Sequence, residues 1–342
     1  MEIGLYTFAD LTRDPTTGAL PNPTKRMGEV LGTARLADQV GLSVFGVGEH
    51  HRLDMAAASP AVVLAAIGAA TRSIKLTSTV TILPTLDPVR VYQDFATVDL
   101  VSGGRAEITV GRGAFVESFP LFGFDIADYD AIFAEKLELL TKLDASERVT
   151  WSGKYRTPLK DAEISPRPAK GRLPIWIGVG GTPESAVRAG KLGLPLTLAN
   201  ITQPPAKFAP QIEAYRQAGK EVGHDAAALK VAIAGHLYVE KDSQKARDAF
   251  YPHYAAYFRE HAVKGKYAME ISREEFDKRA APDGSLYVGS PQEIIDKIGK
   301  AKALFRHDRY LGQMDIGGMP FGKVADATEL LAHEVMPRVA NP

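Results

Sequence analysis

The sequence predicts an α/β fold in which parallel strands are joined by crossover helices, as in a (β/α)8 barrel, with residues 1–342 forming a single domain. Three observations carry that expectation. Short apolar, β-branched runs alternate with segments of helical periodicity along almost the whole chain, about eight of each. The length of 342 residues is ordinary for such a barrel. No low-complexity tract or solenoid repeat divides the chain. Alternation does not report closure, so a doubly wound open sheet fits the same pattern.

The elements follow in order. Residues 3–8 read as a short strand. Residues 27–40 place Val30, Leu31, Ala34, Leu36, Ala37 and Val40 at helical spacing and stop at Gly41, a good residue past a helix end. Residues 44–47 are the next strand. Ser59-Pro60 fits an N-cap followed by proline at the first helical position, opening a helix to about residue 71. Residues 74–83 form one β-branched strand, and Asp87-Pro88 opens a helix that ends at Ser102-Gly103-Gly104. Residues 106–110 are a strand and 127–143 a helix. Residues 146–173, rich in Pro, Gly, Lys and Arg, interrupt the pattern and are expected to form an inserted hairpin. Alternation resumes with strands at 175–179, 194–199 and 229–239 and helices at 183–191, 205–222 and 244–261. Residues 262–289 read as a long loop or lid with a short helix. A helix at 291–304, a strand at 310–316 and a helix at 324–335 finish the chain.

Composition narrows the function. Hydrophobic residues make up 45% and charged residues 24%, as in an ordinary globular protein. Lys+Arg and Asp+Glu both number 41, so there is no basic excess of the kind that nucleic-acid or membrane-surface binders carry. The absence of cysteine excludes disulfides, thiolate metal sites and cysteine nucleophiles. The N-terminal residues show no signal-peptide pattern, and no apolar run approaches the ~20 residues of a membrane span, so the expectation is a cytoplasmic protein.

The chemistry is expected at strand ends. Gly48-Glu49-His50-His51 follows an apolar strand; a carboxylate and two imidazoles there must be paired or wet. In a parallel barrel that end of a strand is the catalytic face. These neighbours cannot easily converge on one ion, and zinc takes three or four ligands, so no metal is expected. Histidine suits proton handling. Thr79-Val80-Thr81-Ile82-Leu83-Pro84 offers a flat β-branched wall for a planar ring. Gly111-Arg112-Gly113 lets the backbone approach a ligand while the arginine forks onto a phosphate or carboxylate. Gly178-Val179-Gly180-Gly181-Thr182-Pro183-Glu184-Ser185 is a strand, a glycine turn and a helix start, a pattern that holds phosphate. A buried strand, a solvated arginine and a plain βα turn are the ordinary structural readings of the same residues.

Taken in order, these segments resemble bacterial luciferase and the luciferase-like flavin monooxygenases. The matching residues are Gly48-Glu49-His50-His51, Ile82-Leu83-Pro84-Thr85 with Pro88-Val89-Arg90, Asp99-Leu100-Val101-Ser102-Gly103-Gly104-Arg105, Gly111-Arg112-Gly113, Pro174-Ile175-Trp176-Ile177 and Glu334-Val335-Met336-Pro337. The resemblance covers nearly the whole chain and implies a TIM barrel with reduced FMN at its C-terminal mouth. It implies the flavin ring against Thr79 and Val80, where the family often has a non-proline cis peptide. It also implies Glu49 beside the cofactor, Arg112 on the phosphate, and Gly180, Gly181, Thr182 and Ser185 in the phosphate loop. The two glycines replace a Glu-Ser pair found in luciferase. His50 matches the histidine implicated in catalysis. The implied reaction takes reduced FMN, from a separate NAD(P)H:flavin reductase or from NAD(P)H, and O2; a flavin peroxide inserts one oxygen into a small organic substrate. His50 would serve as base or acid, and the segment 262–289 would exclude water. Light emission is not implied. A homodimer through helices early in the chain is expected, with Tyr6, Phe8, Phe115, Asn200 and His236 as substrate walls. Two other readings stand beside this one. The first is a deazaflavin-dependent hydride-transfer enzyme on the same barrel. The second is a non-catalytic flavin-binding protein, against which the eight complete units and His50 weigh.

Overall fold

Eight parallel strands pair edge to edge until the last meets the first, which closes the barrel and excludes the open-sheet alternative. The computed structural model describes residues 1–113, 115–261 and 269–340. Among these residues twelve strands form: β1 (Glu2–Thr7), β2 (Val44–Val47), β3 (Lys75–Ser78), β4 (Thr81–Ile82), β5 (Ala106–Gly111), β6 (Arg148–Trp151), β7 (Leu159–Glu163), β8 (Ile175–Val179), β9 (Leu196–Ala199), β10 (Val231–Val239), β11 (Tyr287–Gly289) and β12 (Arg309–Gln313). The barrel runs β1-β2-β3-β5-β8-β9-β10-β12 and closes where Ile3 of β1 pairs with Tyr310 of β12. The strands are short and apolar because both faces are buried, one by the barrel interior and one by helices. Tyr6, Val44, Ala234 and Leu311 form a small cluster inside, and the larger core lies between strands and helices.

Helix caps set where each crossover begins. Asn22 accepts a hydrogen bond from the Lys25 amide and starts the first helix at Pro23–Gln39, four residues before the sequence expectation; the apolar spacing began late, but the Asn-Pro cap did not. Asp87 caps Pro88–Ser102 through the Val89 and Arg90 amides, and Gly103 ends it in the left-handed conformation. The helices Pro60–Ala70, Pro183–Lys191 and Pro291–Phe305 also open on proline, as expected.

The expected single strand at 74–83 is two pieces. β3 ends at Ser78, the Thr79–Val80 peptide is cis, and β4 resumes beside Val110 and Gly111 before a 3-10 turn, Leu83–Thr85. The Val80 side chain occupies the space that a β-carbon would need at two neighbouring strand positions: such an atom would lie 2.5 Å from Val80 at Gly111 and 2.6 Å from it at Gly178. Glycine at those positions is therefore what lets Val80 stand where it does.

The insertion at 146–173 is the expected hairpin, β6 against β7, antiparallel. The loop or lid with a short helix expected at 262–289 has its short helix and, in addition, a strand. Residues 262–268 lie outside the described residues; then comes a helix, Arg273–Ala280, and then β11, which pairs Tyr287–Gly289 with the upper half of the long strand β10. Three residues are too short to show a two-residue period, so that strand was not legible. The last helix is continuous past its expected end at 335, passing through a π turn, Leu331–Val335, into Met336–Ala340.

Candidate active site

A cleft of about 340 Å3 opens at the C-terminal ends of the strands, within the range of small-molecule sites. Its walls come from successive units: Tyr6 and Phe8 from the first, Glu49 and His50 from the second, and Thr79 and Val80 from the third. Gly111 and Arg112 follow from β5, and Gly178 to Thr182 from β8. Positions as far apart in sequence as Tyr6 and Thr182 thus meet because each sits at or just past a strand end.

His50 is 6% exposed. Its ring lies edge-on between Phe8, at 4.7 Å, and Phe115, at 5.2 Å, and its Nδ1 has no hydrogen-bond partner among the described residues. Burial, with the positive charges of His261 and Arg52, lowers its pKa to about 3. The imidazole is neutral at any physiological pH. It is therefore suited to act as a base or as a neutral hydrogen-bonding group.

Glu49 lines the cleft and is also held by the protein. One oxygen meets His51 Nε2 at 2.8 Å and the other accepts the Ile82 amide at 3.0 Å. Its carboxylate touches the cleft but chiefly ties the histidine loop to β4, behind the Thr79–Val80 wall. A buried carboxylate with two donors is partnered, and the two contacts join the histidine loop to β4. Thr79 Oγ1, by contrast, is buried with no partner among the described residues.

Arg112 reaches across to the next loop. Its guanidinium donates to Thr182 Oγ1 at 3.0 Å and Ser185 Oγ at 2.8 Å, lies 4.7 Å from the centre of the Tyr129 ring, and pairs with the exposed Asp130. Thr182 and Ser185 flank the N-terminus of Pro183–Lys191, the end of a helix that attracts anions. A β-carbon at Gly180 or Gly181 would meet nothing within 4 Å, so the loop leaves open space there. A guanidinium, two hydroxyls and a helix start around open space fit a phosphate. The β-branched wall and the unpartnered Thr79 hydroxyl fit the planar, hydrogen-bonding ring that FMN joins to one.

Two expected walls lie elsewhere. Asn200 is fully buried, and His236 packs on Tyr254 and Phe258 of the helix Ser243–Glu260. His236 sits where the helix Ser243–Glu260 covers β10. Phe115 does meet His50. The sequence reading missed a charged cluster beside it. His261 Nδ1 meets Asp54 Oδ2 at 2.9 Å, its Nε2 meets Thr12 Oγ1 at 2.6 Å and lies 3.8 Å from Asp10. No spacing links residues 10, 54 and 261, so only the folded chain reveals it. Burial opposes the charge on His261, but hydrogen bonds to Asp10 and Asp54 outweigh it and raise the pKa to about 9. A raised folded pKa stabilises the protein fully below the ordinary value near 6.5, and that contribution is lost as pH rises through 9. His261→Gln should therefore melt below the parent at pH 6–7, and the gap in Tm should close by about pH 10; a gap independent of pH would remove the charge from the account.

Among the described residues no group of His, Asp and Glu is placed to hold a metal, and no helix is long and apolar enough to cross a membrane. A larger hollow, about 1100 Å3, opens at the opposite end of the barrel. Its main charges are matched to one another: Arg309 with Glu2 and Glu107, and Lys75 with Glu2. In this fold that end serves stability, so the smaller cleft is the candidate active site.

Comparison with known proteins gives a consistent picture. A family model described as luciferase-like monooxygenase matches residues 1–307. An alkanal monooxygenase alpha chain from Photorhabdus luminescens is 26% identical over 299 residues, covering 81% of this chain and 82% of its own. Among solved structures, the monooxygenase RslO1 from Streptomyces bottropensis superposes with a TM-score of 0.85 at 24% identity, covering 98% of this chain and 99% of its own. The oxygenating constituent of 3,6-diketocamphane monooxygenase from Pseudomonas putida, a Baeyer-Villiger enzyme solved with FMN, gives 0.79 at 19% identity, covering 100% and 99%.

Proposed function

The chain belongs to the luciferase-like monooxygenase family, and we propose that it uses reduced FMN and O2 to oxygenate a small, largely apolar organic substrate. The observation that carries this reading is the pairing, in one cleft, of a cationic phosphate cradle (Arg112, Thr182, Ser185) with a neutral imidazole (His50), the Thr79–Val80 wall between them. Reduced flavin, when bound, supplies the two electrons with which O2 places one oxygen atom in the substrate and the other in water. The chain's own residues bind and orient. Arg112, Thr182 and Ser185 hold the phosphate; Thr79 and Val80 support the ring; Phe8 and Phe115 keep water from His50. His50, free of charge, takes a proton at a ring nitrogen or shares one in a hydrogen bond.

Three further parts of the reading have separate support. A separate NAD(P)H:flavin reductase would supply the reduced FMN, since the Pseudomonas relative is itself named as an oxygenating constituent. A homodimer would cover the outer face of the helices Pro60–Ala70 and Pro88–Ser102, where Val62, Leu100 and Val101 are exposed. A cytoplasmic setting fits a protein that depends on such a reductase.

The test is turnover with chemically reduced FMN, isotopically heavy O2 and a panel of aldehydes, ketones and aromatic compounds. Heavy oxygen in an organic product supports the reading. Release of hydrogen peroxide alone, across the panel, points to a flavin-binding protein without oxygenase activity. Binding of reduced deazaflavin and not of FMN points to hydride transfer instead.

A further inference from the structure

Phe115 stands in a loop with no regular structure, yet it forms one wall of the box around His50. Something must keep its ring there. The Arg52 guanidinium lies over that ring, 4.9 Å from its centre. Arg52 is in turn fixed by a two-pronged contact: its Nε donates to Asp54 Oδ1 at 2.8 Å and a terminal nitrogen donates to Asp54 Oδ2 at 2.6 Å. Asp54 Oδ2 also meets His261 Nδ1, at the C-terminal end of the helix Ser243–Glu260, where a cation is favoured.

We infer that Arg52 is a positioning residue: forked onto Asp54, which His261 pins from the other side, it clamps Phe115 against the His50 ring. The inference deepens the monooxygenase reading and rests on it for its consequence in turnover. Three segments distant in sequence (50–54, 115 and 261) meet in this chain of contacts. Its geometry suits arginine and not lysine. A planar guanidinium can fork onto a carboxylate with its edge while its face covers an aromatic ring; an ammonium cannot do both. A cation over an aromatic face is attracted to it, more strongly when shielded from water.

The clamp also governs the charge state of His50. The groups that act on that imidazole are Arg52, His261 and His51 on the positive side and Asp54 on the negative; Glu49 is held by His51 and the Ile82 amide. Removing Arg52 withdraws a positive charge and frees Phe115 to admit water. Both changes favour the protonated ring, so they act in the same direction.

The experiment follows the His50 imidazole by NMR during a pH titration of the flavin-free protein. In the parent, His50 should stay neutral down to the acid limit of the folded state. In Arg52→Ala its midpoint should move up toward the ordinary value near 6.5, and kcat in the FMN-dependent assay should fall about tenfold with FMN affinity within twofold. Arg52→Lys, which keeps the cation and loses the fork, should fall between. If Arg52→Ala does not fold, the lysine variant carries the test. An unchanged His50 titration in a folded Arg52 variant overturns the clamp. A shifted titration in a protein that oxygenates nothing leaves the clamp standing and removes the proposed activity instead.

Discussion

Replacing His50 with alanine is expected to lower turnover at least ~100-fold while leaving FMN affinity within twofold, the signature of a lost proton-handling group. The ring is the polar centre of an apolar box. Phe8 and Phe115 meet it edge-on, and among the described residues no group binds Nδ1. Its depressed pKa adds a pH consequence. A histidine titrating near 6.5 would give kcat an acid limb in the neutral range, whereas His50, with a pKa of about 3, gives none there. The parent rate should be flat across pH 5.5–8 unless the substrate itself titrates. Unchanged turnover in the alanine variant would remove His50 from the mechanism, and an acid limb near 6.5 that vanishes with it would show that water reaches the ring.

Arg112→Ala is expected to weaken FMN binding by about 1.5–3 kcal/mol, the scale of a charged hydrogen bond, or roughly 10- to 150-fold in Kd. Among the described residues its side chain is the one cation hydrogen-bonded to both Thr182 and Ser185, and its loss would leave the phosphate with two hydroxyls and a helix end. Because Asp130 is 64% exposed, its pairing with Arg112 is screened by water and salt and should give way to a dianionic phosphate. Riboflavin, which has the ring and lacks the phosphate, should bind parent and variant alike. A dissociation constant for FMN within twofold of the parent would defeat the assignment.

The sequence carried the barrel and the positions of its chemical groups because both are local. Apolar runs and Pro-led helix starts mark each unit, and Glu49, His50, Thr79, Val80, Arg112 and Thr182 all stand within three residues of a strand end, where the fold gathers them. What the residues do to one another was not local. That Glu49 would serve His51 and Ile82, that Arg112 would share Ser185 and Asp130, and that Arg52 would reach Phe115 depend on side chains from different units. The same limit explains Asn200 and His236. A residue near a strand end was expected to face the cleft, but β10 runs past the rim to pair with β11, and the helix Ser243–Glu260 packs over His236. The charge state of His50 was unreadable for the same reason: burial between two phenyl rings, with His261 and Arg52 beyond, is a property of the assembled mouth.

The central claim is that one cleft holds flavin phosphate at Arg112 and presents the ring to His50. A crystal structure of the protein soaked with FMN tests it most directly. The phosphate should lie within hydrogen-bonding distance of Arg112, Thr182 Oγ1 and Ser185 Oγ, with the tricyclic ring against Thr79 and Val80 and its edge toward His50. Flavin seated in the hollow at the opposite end of the barrel, or a ring placed away from the Thr79–Val80 wall, would contradict it.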